Sequence, residues 1–273
     1  MKILVSNPKQ FLKVLKQEII MYLSNEIAYR WQVFVWVISD AIQPLLLGIV
    51  WVAVAKAGGG VMNVAQTISY FFMVAIISKL TKDFSMIYIS NSVISGEFSK
   101  YLVKPFNYLS ETLGISFAVR ILRIAFLIPV LIIAYFFLKG NLVYDFSIIN
   151  TFLFVASVII GFSLNYLLGN TFALIAFFMS QILGLRSFYE NVITFLSGEG
   201  IPISAFPIWA IIIIKFLPFR YTISFPIEIL MGTLNRTEMI EGFLLAIAWL
   251  LVLIFVYRIL FRLAIKKYES VGI

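Results

Sequence analysis

The 273-residue chain contains no cysteine and no histidine, and it is poor in charge: 12% of residues are Asp, Glu, Lys or Arg, while 62% are hydrophobic. A soluble domain of this size carries about a quarter charged residues. Without cysteine there is no disulfide and no thiol chemistry. Without histidine the commonest proton shuttle and metal ligand is missing. The 13 acidic residues are scattered, so no acid cluster suggests itself for metal or acid–base chemistry.

What the chain has instead is long apolar runs, with a mean hydropathy of +1.02. Runs of about 20 apolar residues cross the roughly 30 Å hydrocarbon core of a bilayer as helices. The strands of a membrane barrel would alternate over segments of about ten residues, and these runs do not. The fold class expected is an all-α integral membrane protein. The net charge of +8 does not point to nucleic acid, because Lys and Arg in membrane proteins mark the cytoplasmic side. The first thirty residues mix Lys2, Lys9, Lys13, Lys16, Glu18, Glu26 and Arg30 among apolar ones, unlike a signal peptide.

Asn7-Pro8 reads as a helix start, and Phe11, Leu15, Ile19, Tyr22 and Ile27 recur at helical spacing. Residues 7–29 are therefore expected as an amphipathic helix, lying in the membrane interface or packing on a partner. The first span is expected over 31–55, flanked by Trp31, Trp36 and Trp51. The second, over 66–90, reads as one long helix whose Lys79 and Lys82 snorkel toward the cytoplasm. Residues 92–107, which take in most of "SGEFSKYLVKPFNYL" (Ser95–Leu109), form a polar insert. Further spans are expected over 115–138, 148–172, 176–197 and 243–263, giving six. Residues 198–236 hold Pro202, Pro207, Pro218 and Pro226; proline breaks helices, so short re-entrant helices are expected there.

Six spans put both termini on one side. That side then receives Lys2, Lys9, Lys13, Lys16 and Arg30, the group Lys79, Lys82, Lys100, Lys104, Arg120 and Arg123, and the tail residues Arg258, Arg262, Lys266 and Lys267. The other side receives Lys56, Lys139, Lys215, Arg220 and Arg236. Fifteen against five places both termini and the insert in the cytoplasm, and the proline-rich segment outside.

In order and character these parts resemble the permease subunits of bacterial type-2 ABC exporters, the ABC-2 transporters. The marks are "AYRWQVF" (Ala28–Phe34), "SGEFSKYLVKPFNY" (Ser95–Tyr108), "SGEGIPISAFP" (Ser197–Pro207), "LPFRYTISFPIEILMG" (Leu217–Gly232) and "KYESVG" (Lys267–Gly272). In that family an acid and an arginine often precede the first Ser-Gly-Glu, where Ser92 and Ile94 stand here, and the ending is often two glycines, where Gly272-Ile273 stand here. The resemblance implies an exporter half in the plasma (inner) membrane. A second permease, identical or related, would complete the pathway among the membrane lipids. The chain has no GxxxxGK[ST] phosphate loop, so hydrolysis would belong to a separate ATPase dimer carrying ATP and Mg, with no cofactor on this chain and no enzyme activity of its own.

On that reading Ser95, Gly96, Glu97, Lys100, Tyr101, Lys104 and Pro105 form a coupling helix against the ATPase; the alternative is a solvated loop whose lysines only set topology. Asp40, with Gln43 and Pro44 one turn on, is an intramembrane carboxylate. Such groups face the bundle interior or a wet cavity; the alternative is a structural hydrogen bond at a proline-loosened helix. Arg186 and Glu190, four apart on one helical face, are expected as an internal ion pair, either a gate or a scaffold. Asn165 and Asn170 are expected to bond between helices. Gly198, Pro202 and Pro207 shape a lid or plug, with Phe206 and Trp209 as interfacial anchors. Two other functions stay open: a secondary transporter, against which stands the lack of an internal repeat, and an enzyme on lipid-linked substrates, against which stand scattered acids and absent histidine.

Overall fold

The computed structural model describes residues 8–103, 108–179 and 182–268, and every regular element among them is helical. Helix α1 (Pro8–Ala28) opens on its proline; Asn7, the expected cap, lies outside the described residues. It runs along the start of α6 (Tyr108–Leu138), where the Tyr22 hydroxyl donates to Glu111 at 3.1 Å. Gly114 lets Glu18 close in, since a Cβ there would come within 2.8 Å of that of Glu18. One face of the amphipathic helix thus packs on protein.

Helix α2 (Arg30–Lys56) is continuous through Pro44, and at 1.5 Å per residue its 27 residues extend about 40 Å. It is joined to α3 (Val64–Thr81), whose start is fixed by a capping box between Asn63 and Gln66.

The second span is not one helix, as its sequence suggested. α3 ends at Thr81, Lys82 is extended, and α4 (Ser85–Ile94) starts anew. Asp83 is the reason. Its carboxylate accepts the Ser85 backbone N–H at 2.9 Å, taking one of the donors that a new helix leaves open. The carbonyl freed at Lys82 accepts from Arg120 at 3.0 Å.

After the insert comes the short α5 (Ser99–Val103), then the 31-residue α6, which begins before the expected 115. α7 (Ile148–Ala173) passes into a 3-10 turn at Leu174–Phe178, and α8 (Leu183–Leu196) follows. The fifth span, expected from 176 to 197, is thus a helix of 14 residues, about 21 Å long. The stretch before it turns Leu174, Ala176 and Phe177 into the core. α9 (Ile208–Phe216) and α10 (Ser224–Leu230) form the proline-rich region. α11 (Arg236–Lys267) outruns the expected 243–263 because a capping box of Asn235 and Glu238 starts it in polar sequence. Among the described residues four stretches are long and apolar enough to cross a bilayer: Val64–Thr81, Tyr108–Asn141, Ile148–Phe178 and Arg236–Lys267.

Much of the core comes from the proline-rich segment expected as short re-entrant helices. Tyr221, Ile223, Phe225, Ile227 and Ile229 are all essentially inaccessible. Ile223 and Ile227 pack on Tyr70, Val74 and Ile77 of α3. Tyr221 and Phe225 join the larger cluster that includes Phe98, Tyr108, Leu164 and Phe261.

Candidate functional site

The polar insert is a turn built on one glycine and one buried ring. α4 ends at Ile94, and Gly96 follows with φ +76°, the left-handed conformation in which glycine commonly terminates helices. Phe98 N–H reaches back to the Ser92 carbonyl at 2.9 Å. The Phe98 side chain is fully buried, its ring 4.9–5.6 Å from those of Tyr101, Tyr108, Phe177 and Tyr268.

Tyr268, the residue that caps α11, bolts the turn in place. Its hydroxyl donates to the Gly96 carbonyl at 2.6 Å and accepts from the Ser99 N–H at 3.0 Å. What stays in reach of another protein is a charged tip. Glu97 and Lys100 pair at 2.8 Å with side chains 63% and 48% exposed, and that lysine holds the Glu97 carboxyl below the usual carboxylate range.

Of the seven residues expected at a coupling surface, Ser95, Glu97 and Lys100 are exposed and Gly96 shapes the turn. Tyr101 is buried in the aromatic cluster, so it supports the tip rather than presenting to a partner. Lys104 and Pro105 lie outside the described residues. Sequence reading passed over Phe98 and Tyr268. The signal for Phe98 was a lone large apolar residue between Glu97 and Ser99; for Tyr268 it was its place in the terminal "KYESVG".

Behind the turn runs a chain of polar groups. Tyr108 donates to Asn170 at 3.3 Å, and the Asn170 amide donates to the Ser85 hydroxyl at 2.9 Å. The hydroxyls of Ser85 and Ser116 both donate to Asp83. Arg120, besides holding the Lys82 carbonyl, stacks 4.2 Å over Phe162. Asn170 thus bonds between helices as expected. The buried Asn165 Nδ2 finds no partner among the described residues. Lys82 does not snorkel: its ammonium lies 3.3 Å from Glu199, whose side chain is only 3% exposed.

Glu199 belongs to a second turn. α8 ends at Leu196, and Gly198 follows with φ +89°. Its carbonyl accepts from the Tyr70 hydroxyl at 2.7 Å. Ser224 N–H donates to the Ser197 carbonyl at 2.9 Å, and Trp51 Nε1 to that of Gly200 at 3.3 Å. Pro202, Pro218 and Pro226 are buried, while Pro207 is exposed at the start of α9, where Trp209 is also exposed and Phe206 half-buried.

The remaining candidates stand apart. Arg186 and Glu190 do pair, at 2.9 Å, but with side chains 38% and 47% exposed: the pair expected inside the bundle lies on an open face of α8. Gln43 is exposed on α2, and the Asp40 side chain lies outside the described residues. Among the described residues no group of three acids could hold a metal ion.

No curated protein and no solved structure matches the chain. A family model does: that of the ABC-2 family transporter proteins aligns with residues 45–272, from the middle of α2 through both glycine turns to the tail beyond Tyr268. Four apolar helices of membrane-spanning length, a clamped polar turn and this alignment agree, and the chain belongs to the ABC-2 transporter family, as a membrane permease of an ABC transporter.

Proposed function

We propose that this permease is half of an ATP-driven exporter and that the turn at Ser95–Tyr101 is where a separate ATPase dimer pushes on it. The observation that carries the reading is the turn itself: a charged, exposed tip on a fully buried Phe98, tied by Tyr268 to the end of α11. A tip held that rigidly can pass a displacement to α4 and α11 together, whereas a loose loop would absorb it. The family supports an ATPase partner, and with no phosphate loop in this sequence the proposal assigns ATP and Mg to that partner. α2, the broken α3–α4, α6, α7, α8 and α11 would supply six crossings, with both termini cytoplasmic in the inner membrane and a second permease completing the pathway. Outward transport and a lipid, drug or peptide-like cargo rest on the family resemblance.

The test is co-purification with a candidate ABC ATPase, followed by vanadate-sensitive ATP hydrolysis and transport in vesicles. Glu97→Ala and Gly96→Pro are expected to leave insertion intact and to uncouple hydrolysis from transport. Failure to associate with any ATPase overturns the proposal, and normal transport in both variants returns the turn to being a loop with lysines.

A further inference from the structure

A cavity of about 480 Å³ opens between α9 and the first turns of α11, within the range of small-molecule sites and outside the machinery described above. Two cations and two carboxylates line it: Lys215 and Arg220, Glu238 and Glu241. Arg220 is buried and bound to Glu228, and its Nε has no partner among the described residues. Lys215 is only loosely held, 3.9 Å from Glu238. Glu241 is exposed and makes no hydrogen bond or ion pair among the described residues.

Apart from Tyr221, whose hydroxyl donates to the Lys215 carbonyl, the rest of the wall is apolar, with Ile212 and Phe216 from α9 and Leu244 and Leu245 from α11. Glu238, Glu241 and Leu244/Leu245 follow one another at spacings of three and four, so they share one face of α11. Along that face polarity runs from carboxylates in the first turns to leucines further along, on a helix of membrane-spanning length. A ligand matching this gradient has a polar head and an apolar tail. An anionic head would face Glu241, and a cationic head would face Lys215. A head bearing both charges satisfies the two sides.

We propose that this cavity holds one zwitterionic phospholipid, its phosphate toward Lys215 and Arg220, its amine toward Glu241, and its chains along Leu244 and Leu245. The full-length chain, purified in detergent, is equilibrated with vesicles of equal phosphatidylethanolamine and phosphatidylglycerol, and the lipid it retains is read by native mass spectrometry. One phosphatidylethanolamine per chain is expected, favoured about fivefold, the size an exposed charge pair can supply.

Glu241→Lys, a surface change that leaves α11 helical, is expected to reverse the preference. Glu190→Gln, on α8 outside the cavity, is expected to preserve it. Glycerophosphoethanolamine, which has the head without the chains, is expected to compete at least tenfold more weakly. Equal retention of the two lipids, an unchanged preference in Glu241→Lys, or full competition by the chainless head each overturns the proposal. The measurement needs no ATPase, so its outcome is independent of the exporter reading.

Discussion

The tripeptide Ser-Gly-Glu occurs twice, at 95–97 and 197–199, and the two copies fold alike. Each serine caps a helix, each glycine turns left-handed, and each glycine carbonyl accepts a hydroxyl from a distant tyrosine: Tyr268 for Gly96 and Tyr70 for Gly198. The glutamates part company. Glu97 is exposed beside Lys100, three residues away, whereas Glu199 is buried against Lys82, 117 residues away. The same local chemistry makes the same helix stop. What surrounds it makes one copy an outward tip and the other an internal latch between the α3–α4 break and the proline-rich core.

The comparison can be broken most forcefully at Glu199. Glu199→Ala leaves the Lys82 ammonium largely buried without its partner and should cost about 3 kcal/mol, read as a lower midpoint of thermal unfolding in detergent. Lys82→Met together with Glu199→Leu should recover most of the loss, while Glu97→Ala should leave the midpoint unmoved. Equal effects of the two alanines would mean that the copies do not differ as described.

Next come the glycines. Alanine at either position is strained by about 1–2 kcal/mol, and at Gly198 the new Cβ would also stand 2.8 Å from that of Ser224. Gly198→Ala should therefore lower the midpoint by more than the backbone strain alone. The tyrosines follow: Tyr70→Phe strands a fully buried carbonyl and should cost about 1–3 kcal/mol, whereas Tyr268→Phe should cost about 1 kcal/mol. In the assembled transporter Tyr268→Phe should also lower transport per ATP, because the tip is no longer tied to α11; hydrogen exchange at residues 96–99 should rise in that variant.

The smallest effect is that of pH at the tip. Lys100 holds the Glu97 carboxyl below its unfolded value, so the bond's contribution is present above the ordinary carboxylate range and is lost as pH falls through the lowered value. A carboxyl NMR titration of Glu97 with and without Lys100→Met should show the value rise toward normal in the variant.

The spans near 115–138, 148–172 and 243–263 were legible in the sequence because bilayer thickness dictates run length whatever the tertiary structure. Gly198 was legible as part of an irregular segment, but Gly96 was not read as a turn: residues 92–107 read as one short polar helix, because the burial of Phe98 that folds them back depends on Tyr108, Phe177 and Tyr268. The break at Lys82–Phe84 was not, since a Lys-Asp pair in an apolar run looks the same whether it snorkels or caps a new helix. The choice is made by Ser116, Arg120 and Glu199, all far along the chain. Spacing foretold that Arg186 and Glu190 meet, but not that α8 turns them outward. The burial of Ile223 to Ile229 was hidden by prolines, which mark irregular backbone without saying whether it lies at a rim or in a core.

Because the chain has no cysteine, each introduced thiol is unique on it, and one crosslinking experiment decides between tip and latch. Glu97→Cys and Glu199→Cys are made separately, and the complex with its ATPase is treated with a short bifunctional thiol-to-amine reagent. The account predicts a permease–ATPase adduct from the thiol at position 97 and none from that at position 199. Adducts from both, or from position 199 alone, would contradict it.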